Sequence, residues 1–196
     1  MLLTAHNMLH IEVGCDEAGR GCLAGPVVAS AVILPRNFNN NLINDSKNLS
    51  KKKREYLKLL IKKKALAYSV GIVSPKEIDK INILNSSILA MHKALDKINI
   101  SFDSILVDGN TFHKYKDVEH HCIVKGDSKY LNIAAASILA KTFRDEIMRK
   151  LDLQFPKYNW KKNKGYPTKA HRAAIKEFGS NKHHRQSFRL LREKIN

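Results

Sequence analysis

The sequence predicts an α/β fold built on a mixed sheet. Two observations support this class: the order of strand-like and helix-like patterns along the chain, and a length of 196 residues that suits one domain. Three strands with one helix among them come first, followed by helix, strand, strand and helix. Because 43% of the residues are hydrophobic, the chain has enough apolar side chains for a packed core.

Five runs rich in β-branched and apolar residues are predicted as strands, since such side chains suit a pleated, partly buried surface. In chain order these runs are 10–15, 27–34, 67–73, 104–107 and 120–124.

The segments between the strands show helical patterns. Ser50 can cap a helix whose apolar face includes Leu57 and Ile61, and a second helix follows the 3.6-residue period from Leu84 to Leu95. A third helix, about 131–153, carries small residues that permit close packing on a sheet. After Pro156 the pattern changes to short basic helices, so we divide the chain into a main domain, 1–155, and a basic C-terminal helical segment, 156–196.

The charge is strongly positive, with 35 Lys and Arg against 18 Asp and Glu. The excess lies in two segments: residues 51–64 hold eight Lys and Arg against one Glu, and residues 157–196 hold twelve against two Glu. Lys and Arg displace the counterions condensed on phosphates, so a nucleic acid partner is favoured. A solvated helix face, an acidic membrane surface and an acidic protein remain as alternatives.

Several other classes are disfavoured. No apolar run approaches the ~18 to 20 residues that cross a bilayer, and the start of the chain lacks a signal-peptide pattern, so we expect a soluble, cytoplasmic protein. The three cysteines are irregularly spaced, and the pairs at 120–121 and 183–184 are adjacent histidines. Neither pattern predicts a disulfide framework or a zinc site.

Two adjacent acids, Asp16 and Glu17, follow the first strand and lead into a glycine-rich loop. Acids that end a core strand are costly to desolvate unless they are paired or bound to a cation. Glycines around Arg20 also let backbone amides approach a phosphate or sugar closely. The alternative is a simple strand-ending turn.

Two further acids occupy comparable positions. Asp108 ends the strand in ILVDGN, and it converges with Asp16 if their strands are parallel neighbours. Asp127 lies just before the third helix. The alternative for Asp108 is a simple Asp-Gly turn. The alternative for Asp127 is a residue that only starts a helix. Together these acids suit a hard divalent ion such as Mg²⁺.

Six motifs then occur in order: DEAGRG, NDSKNLS, LVDGN, KGDSKYLNIAAASILAK, KGYPT and HHRQSF. With these motifs the chain closely resembles the bacterial ribonuclease HII family over nearly its whole length. The resemblance implies an RNase H-like fold, a mixed five-stranded sheet flanked by helices with a small C-terminal helical segment, in which 1–155 is the catalytic domain.

The resemblance also implies an activity and its metal ligands. Asp16, Glu17, Asp108 and Asp127 would hold two Mg²⁺ or Mn²⁺ ions, which activate a water and stabilise the leaving 3′ oxygen. The implied enzyme is an endoribonuclease that cuts 5′ of ribonucleotides in RNA/DNA hybrids and of single ribonucleotides in duplex DNA. It leaves 3′-hydroxyl and 5′-phosphate ends.

Substrate recognition is implied in the same way. The backbone of Gly19, Arg20 and Gly21 is suited to reading the 2′-hydroxyl. Tyr166 offers a flat face for the neighbouring deoxyribose; without the resemblance it is a turn aromatic before a proline. The expected phosphate contacts, which in isolation read as solvated charges or helix caps, are Lys47, Arg185 and Ser187.

The expected partners are RNA/DNA hybrids and ribonucleotide-containing DNA duplexes, with no membrane. The tail FRLLREKIN shows no clear sliding-clamp peptide, and we expect a monomer. The alternative from another class is a non-catalytic nucleic-acid-binding protein, in which the basic segments bind phosphate and the acids only close turns.

Overall fold

The computed structural model describes residues 2–38, 42–43 and 49–191. Its described part contains a five-stranded sheet in the order β3-β2-β1-β4-β5. The first three strands pair antiparallel, whereas β1 with β4 and β4 with β5 are parallel, so the sheet is mixed as predicted. The strands are β1 Glu12–Ala18, β2 Val27–Ile33, β3 Ala67–Val73, β4 Ser104–Asp108 and β5 Glu119–Ile123.

All five predicted strands form, and β1 differs most from its predicted range of 10–15. It continues through Asp16 and Glu17 because these residues pair with Ser30 and Ala29 of β2. The two acids therefore lie inside a strand rather than in the turn after it.

Six α-helices are present in the described ranges. The three predicted helices form, and Ser50 caps the first by accepting a hydrogen bond from Lys53 N. A short helix that the sequence analysis did not predict begins after Ser74, where Ser74 and Glu77 form a reciprocal capping box. The helices are α1 Lys51–Lys64, α2 Pro75–Ile81, α3 Ile83–Leu95, α4 Leu131–Gln154, α5 Trp160–Asn163 and α6 Lys169–Phe178.

Helices cover both faces of the sheet at close range. A Cβ added at Gly14 of β1 would lie 2.3 Å from the backbone of Asn132, so α4 packs directly on the strand. The Asn132 side chain also donates to Glu12 O (2.7 Å) and accepts from Leu34 N (3.0 Å). On the other face, a Cβ at Gly71 would lie 1.9 Å from Ala90 O of α3.

The C-terminal segment packs on the end of α4 and on the loop after β1. Leu23 N donates to Gly165 O (2.8 Å), and Gly25 N donates to His183 O (2.8 Å). The boundary after residue 155 stays a prediction. A separate apolar cluster joins the two parts, formed by Leu23, Ala24, Met148, Tyr158, Trp160, Ala174 and Ile175.

None of the helices in the described part of the chain has the length and apolar character needed to cross a membrane.

Candidate active site

Three carboxylates meet at the carboxyl end of the central parallel strands. Because Cys15 of β1 pairs with Val107 of β4, the next residues, Asp16 and Asp108, lie side by side. Asp127 reaches the same place from the 3₁₀ turn Gly126–Ser128 that precedes α4. One oxygen from each of the three carboxylates lies within 4.8 Å of the other two.

Hydrogen bonds fix these acids. Gly126 N donates to Asp108 Oδ1 (2.7 Å), which ties β4 to the turn that carries Asp127. Glu17 N donates to Asp16 Oδ1 (2.6 Å), and the Ser137 hydroxyl also hydrogen-bonds the Asp16 carboxylate. Asp16 and Asp127 are buried, so their positions are defined by the surrounding strands and helix.

Glu17 is placed differently from the other three acids. Its carboxylate lines the same cavity but pairs with Arg20, at 3.3 Å between Oε1 and Nη1. Glu17 does not belong to the cluster of three acids, and its role as a metal ligand stays a prediction.

The electrostatics of the cluster favour a bound cation. Burial raises the pKa of Asp16 well above its ordinary value, and the negative charges of Glu17 and Asp108 raise it further. Burial also raises the pKa of Glu17, partly offset by Arg20. Converging carboxylate oxygens that repel one another are the donor set that a hard divalent ion binds, so the residues fit Mg²⁺ or Mn²⁺.

The acids open into a cavity of about 430 Å³. Three of its polar lining side chains were not predicted as site residues: Arg54 of α1 and Ser137 and Lys141 of α4. Ser137 and Lys141 are four residues apart and therefore lie on the same face of α4, the helix that begins shortly after Asp127. This spacing is the sequence signal that could have indicated both as site residues. The full lining is Asp16, Glu17, Ala18, Gly19, Arg54, Asp108, Ser137, Lys141 and Tyr166.

The loop after β1 borders this cavity. Gly19 has a φ of +98°, and a Cβ there would lie 2.0 Å from Arg144 Nε, so only glycine fits. Gly21 is exposed and has open space where a Cβ would point, so a ligand can approach its backbone closely. The Arg20 side chain is half exposed.

Tyr166 forms another part of the cavity wall, and 39% of its surface is exposed. Trp160 Nε1 donates to His171 Nε2 (2.9 Å), so the proton of the neutral His171 ring lies on Nδ1 and is donated to Tyr166 O (2.9 Å). Lys141 Nζ lies 5.6 Å from the centre of the Tyr166 ring. The backbone of Tyr166 is therefore held by a hydrogen bond, and its ring lies beside a cationic side chain.

The structure corrects the expectation that Arg185 contacts a phosphate. Its side chain is 0% exposed, and its three guanidinium nitrogens donate to Gly19 O, Arg20 O and Gly25 O. The guanidinium has no exposed surface for a ligand. It lies behind the loop after β1, whose backbone carbonyls it binds. A buried arginine of this kind is not distinguishable from a surface arginine in the sequence.

Ser187 is exposed but donates its hydroxyl to Asp79 Oδ1 of α2 (2.6 Å), and it does not line the acidic cavity. Its phosphate contact stays a prediction. Lys47 lies outside the described residues.

Comparison with known proteins identifies the family. The model of the family described as ribonuclease HII matches residues 13–191. The chain belongs to the ribonuclease HII family. A ribonuclease HII of Christiangramia forsetii is 59% identical over 194 residues, covering 99% of this chain and 98% of that protein. One from Bacteroides thetaiotaomicron is 59% identical over 191 residues, covering 97% and 96%.

Solved structures of several ribonucleases are also similar. Ribonuclease H2 from Pyrococcus horikoshii OT3 has a TM-score of 0.76 and 26% identity, covering 91% of this chain and 94% of that one. The RNase HII in a PCNA complex from Archaeoglobus fulgidus has a TM-score of 0.76 and 25% identity, covering 94% and 98%. Bst-RNase HIII in complex with Mn²⁺ shares the fold at 19% identity and a TM-score of 0.70, covering 91% and 67%.

Membership in the ribonuclease HII family confirms the predicted resemblance and fold class. The protein is an enzyme of a metal-dependent nuclease family whose activity is ribonuclease H cleavage of RNA/DNA hybrids. The cluster of Asp16, Asp108 and Asp127 could hold a divalent metal ion of the kind that this family uses.

Proposed function

We propose that this ribonuclease hydrolyses the phosphodiester bond on the 5′ side of a ribonucleotide, both in RNA/DNA hybrids and at a single ribonucleotide in duplex DNA. The products carry 3′-hydroxyl and 5′-phosphate ends. The observation that carries the proposal is the convergence of Asp16, Asp108 and Asp127 beside a cavity bordered by Gly19 and Tyr166.

Asp16, Asp108 and Asp127 would hold the metal, with Glu17 facing the same cavity. We propose two divalent ions, Mg²⁺ or Mn²⁺. Bound ions of this kind supply an activated water and stabilise the charge on the departing oxygen. Because the three converging carboxylates belong to one chain, a monomer suffices for the reaction.

The protein's own residues orient the reacting groups. Gly126 N and the Ser137 hydroxyl hold the carboxylates of Asp108 and Asp16 in place, so the acids need no rearrangement when substrate arrives. Lys141 and Arg54 bring positive charge to the cavity wall, where they can pair with non-bridging phosphate oxygens.

Recognition of the ribonucleotide would fall to the loop and to Tyr166. The 2′-hydroxyl is the group that separates RNA from DNA at one position. The open Cα of Gly21 leaves room for backbone groups to reach it. The partly exposed Tyr166 ring offers a flat surface for the next deoxyribose, which an added hydroxyl would disturb.

Affinity for the duplex would come from the two basic segments. Helix α1 ends in Lys62, Lys63 and Lys64, and the C-terminal segment carries the excess charge that lies outside residues 51–64. Phosphate contacts release counterions, so binding should weaken steeply with salt. Lys47 and Ser187 remain proposed contacts of this kind.

The test is cleavage of a labelled DNA duplex that contains one ribonucleotide, in Mg²⁺, Mn²⁺ or EDTA. Wild type should cut immediately 5′ of the ribonucleotide only with metal, and Asp108→Asn should not cut. Asp117→Asn is the matched control, because the Asp117 side chain is 98% exposed and pairs only with surface Lys114 among the ion pairs of the described residues. An all-DNA duplex of the same sequence should stay intact.

Two outcomes would contradict the proposal. Normal turnover by Asp108→Asn would refute the site, and salt-sensitive binding without incision under every metal condition would favour a non-catalytic nucleic-acid-binding protein.

A further inference from the structure

Two fully buried arginines lie behind the proposed recognition surface. Arg144 on α4 and Arg185 in the C-terminal segment are each 0% exposed. Burying a guanidinium is costly unless its N–H groups find acceptors, because the charge loses its hydration. In both residues the acceptors are backbone carbonyls, so each arginine fixes the path of the chain.

Arg144 joins two separate segments. Its Nε donates to Pro26 O (2.9 Å) and its Nη2 to Ala24 O (3.0 Å), both in the loop after β1. Its Nη1 donates to Lys164 O (2.9 Å), two residues before Tyr166. One planar side chain therefore sets the distance between the loop and the turn that carries Tyr166.

Arg185 holds the same loop from the C-terminal side. Its side chain donates to Gly19 O (2.7 Å), Arg20 O (2.8 Å) and Gly25 O (3.1 Å). Its backbone N–H also donates to Leu23 O (2.8 Å). Both ends of the 19–25 loop are thus bonded to one residue.

Gly19 lies against the other guanidinium as well. Since a Cβ at this position would be 2.0 Å from Arg144 Nε, the loop backbone lies directly on Arg144. Neither arginine lines the acidic cavity. Their contacts are with the segments proposed to read the sugars and not with the acids.

We infer that Arg144 and Arg185 act as positioning residues that set the geometry between the 19–25 loop and Tyr166, and thereby determine the preference for a ribonucleotide followed by a deoxyribonucleotide. The inference rests on the proposed function, in which the loop reads the 2′-hydroxyl and Tyr166 reads the next sugar. Under this inference the C-terminal segment, which carries Arg185, contributes to substrate specificity.

The test replaces each arginine by lysine. Arg185→Lys and Arg144→Lys keep the positive charge but lose the planar fork, so one ammonium cannot hold three carbonyls in the same arrangement. The measured quantity is the ratio of kcat/KM for a single-ribonucleotide duplex to kcat/KM for a uniform RNA/DNA hybrid. Both values come from one preparation, so the fraction of folded enzyme cancels.

The ratio should fall on the order of 10- to 100-fold in either variant, because small displacements of positioned groups cost this much. The matched control is Arg172→Lys. Arg172 also donates to backbone carbonyls, those of Arg189 and Leu190, but these lie outside the loop. Its ratio should stay at the wild-type value.

Folding is checked separately by the emission of Trp160, the one tryptophan of the chain, which is buried in the C-terminal segment. If a lysine variant does not fold, Gly19→Ala tests the same contact, because its Cβ would overlap Arg144 Nε while both guanidinium groups are retained. A folded variant in which both substrates lose activity equally, or neither loses any, overturns the inference. Failure of wild type to cut the single-ribonucleotide duplex refutes the proposed function instead.

Discussion

Acidification should destabilise the C-terminal segment through His184. This imidazole is 1% exposed and lies among the rings of Tyr158, Trp160 and His171, at 4.8 to 5.4 Å between centroids. His184 Nδ1 lies 3.0 Å from Asn181 N and 3.1 Å from Asn181 Oδ1. Protonation of the ring would bury a positive charge among these aromatic side chains.

The size of the effect follows from the shifted pKa. Burial, with a smaller effect from His171, lowers the pKa of His184 from 6.5 to about 4. The unfolded chain takes up the proton first, so the stabilisation is complete above pH 6.5 and is lost as the pH falls towards 4. At ~1.4 kcal/mol per pH unit, about 3 kcal/mol of unfolding free energy should be lost over this interval. Burial also lowers the pKa of His171 and His183, which adds in the same direction.

The assay is denaturant unfolding between pH 7 and pH 4, followed by Trp160 emission in EDTA. His184→Gln cannot titrate, so the difference in unfolding free energy between wild type and variant should shrink by about 3 kcal/mol as the pH falls. His113→Gln, at an exposed histidine, is the control and should follow the wild-type pH profile. Parallel profiles for wild type and His184→Gln would refute the reasoning.

Three further predictions concern the site and its support. Asp16→Asn should abolish cleavage yet raise stability in EDTA at neutral pH, because an acid whose folded pKa is raised costs stability once it ionises; urea midpoints measure this. In Tyr166→Ala, the preference for the single-ribonucleotide duplex over the hybrid should fall by a larger factor than the affinity for these substrates. Competitive cleavage measures the preference, and binding titrations measure the affinity. Gly14→Ala should cost about 1–3 kcal/mol or more of unfolding free energy, because its Cβ would overlap the backbone of Asn132.

Each of these has an outcome that contradicts it. A less stable Asp16→Asn protein in EDTA would mean that the carboxylate is not repelled by its neighbours. Equal losses by Tyr166→Ala on all substrates would argue against a role at the junction, with Tyr166→Phe as the control that keeps the ring. An unchanged Gly14→Ala midpoint would show that α4 can move away from β1 at little cost.

The sequence predicted the strands well because β-branched runs are a local signal. It did not predict that Asp16 and Glu17 lie within β1, since the strand is extended by pairing with β2, a non-local contact. The convergence of Asp16 with Asp108 was predicted conditionally on a parallel pairing, and β1 and β4 are indeed parallel neighbours. Residue spacing alone could not choose between that arrangement and two separate turns.

Burial of charged residues was the least predictable feature. Arg185 reads as one more cation in a basic segment, yet its acceptors Gly19 and Gly25 lie at the other end of the chain. Every residue has a backbone carbonyl, so residue types alone do not show which carbonyls will accept hydrogen bonds from an arginine. The sequence therefore does not distinguish Arg185 from its exposed neighbours. Lys141 and Ser137 could not be assigned from the sequence because the small residues around them are typical of close helix packing, and only the fold shows which side of α4 lies towards the acids.

The bond between Arg185 and Gly19 spans 166 positions and has a consequence for biosynthesis. A ribosome makes the three acids of the cluster, the last of which is Asp127, well before it reaches residue 185. A chain that stops early, after α6 for example, would keep those carboxylates but lose every hydrogen bond from Arg185 to the loop. If Arg185 positions the loop as inferred, premature termination in this region would leave the three acids in the chain and remove the residue that holds the 19–25 loop.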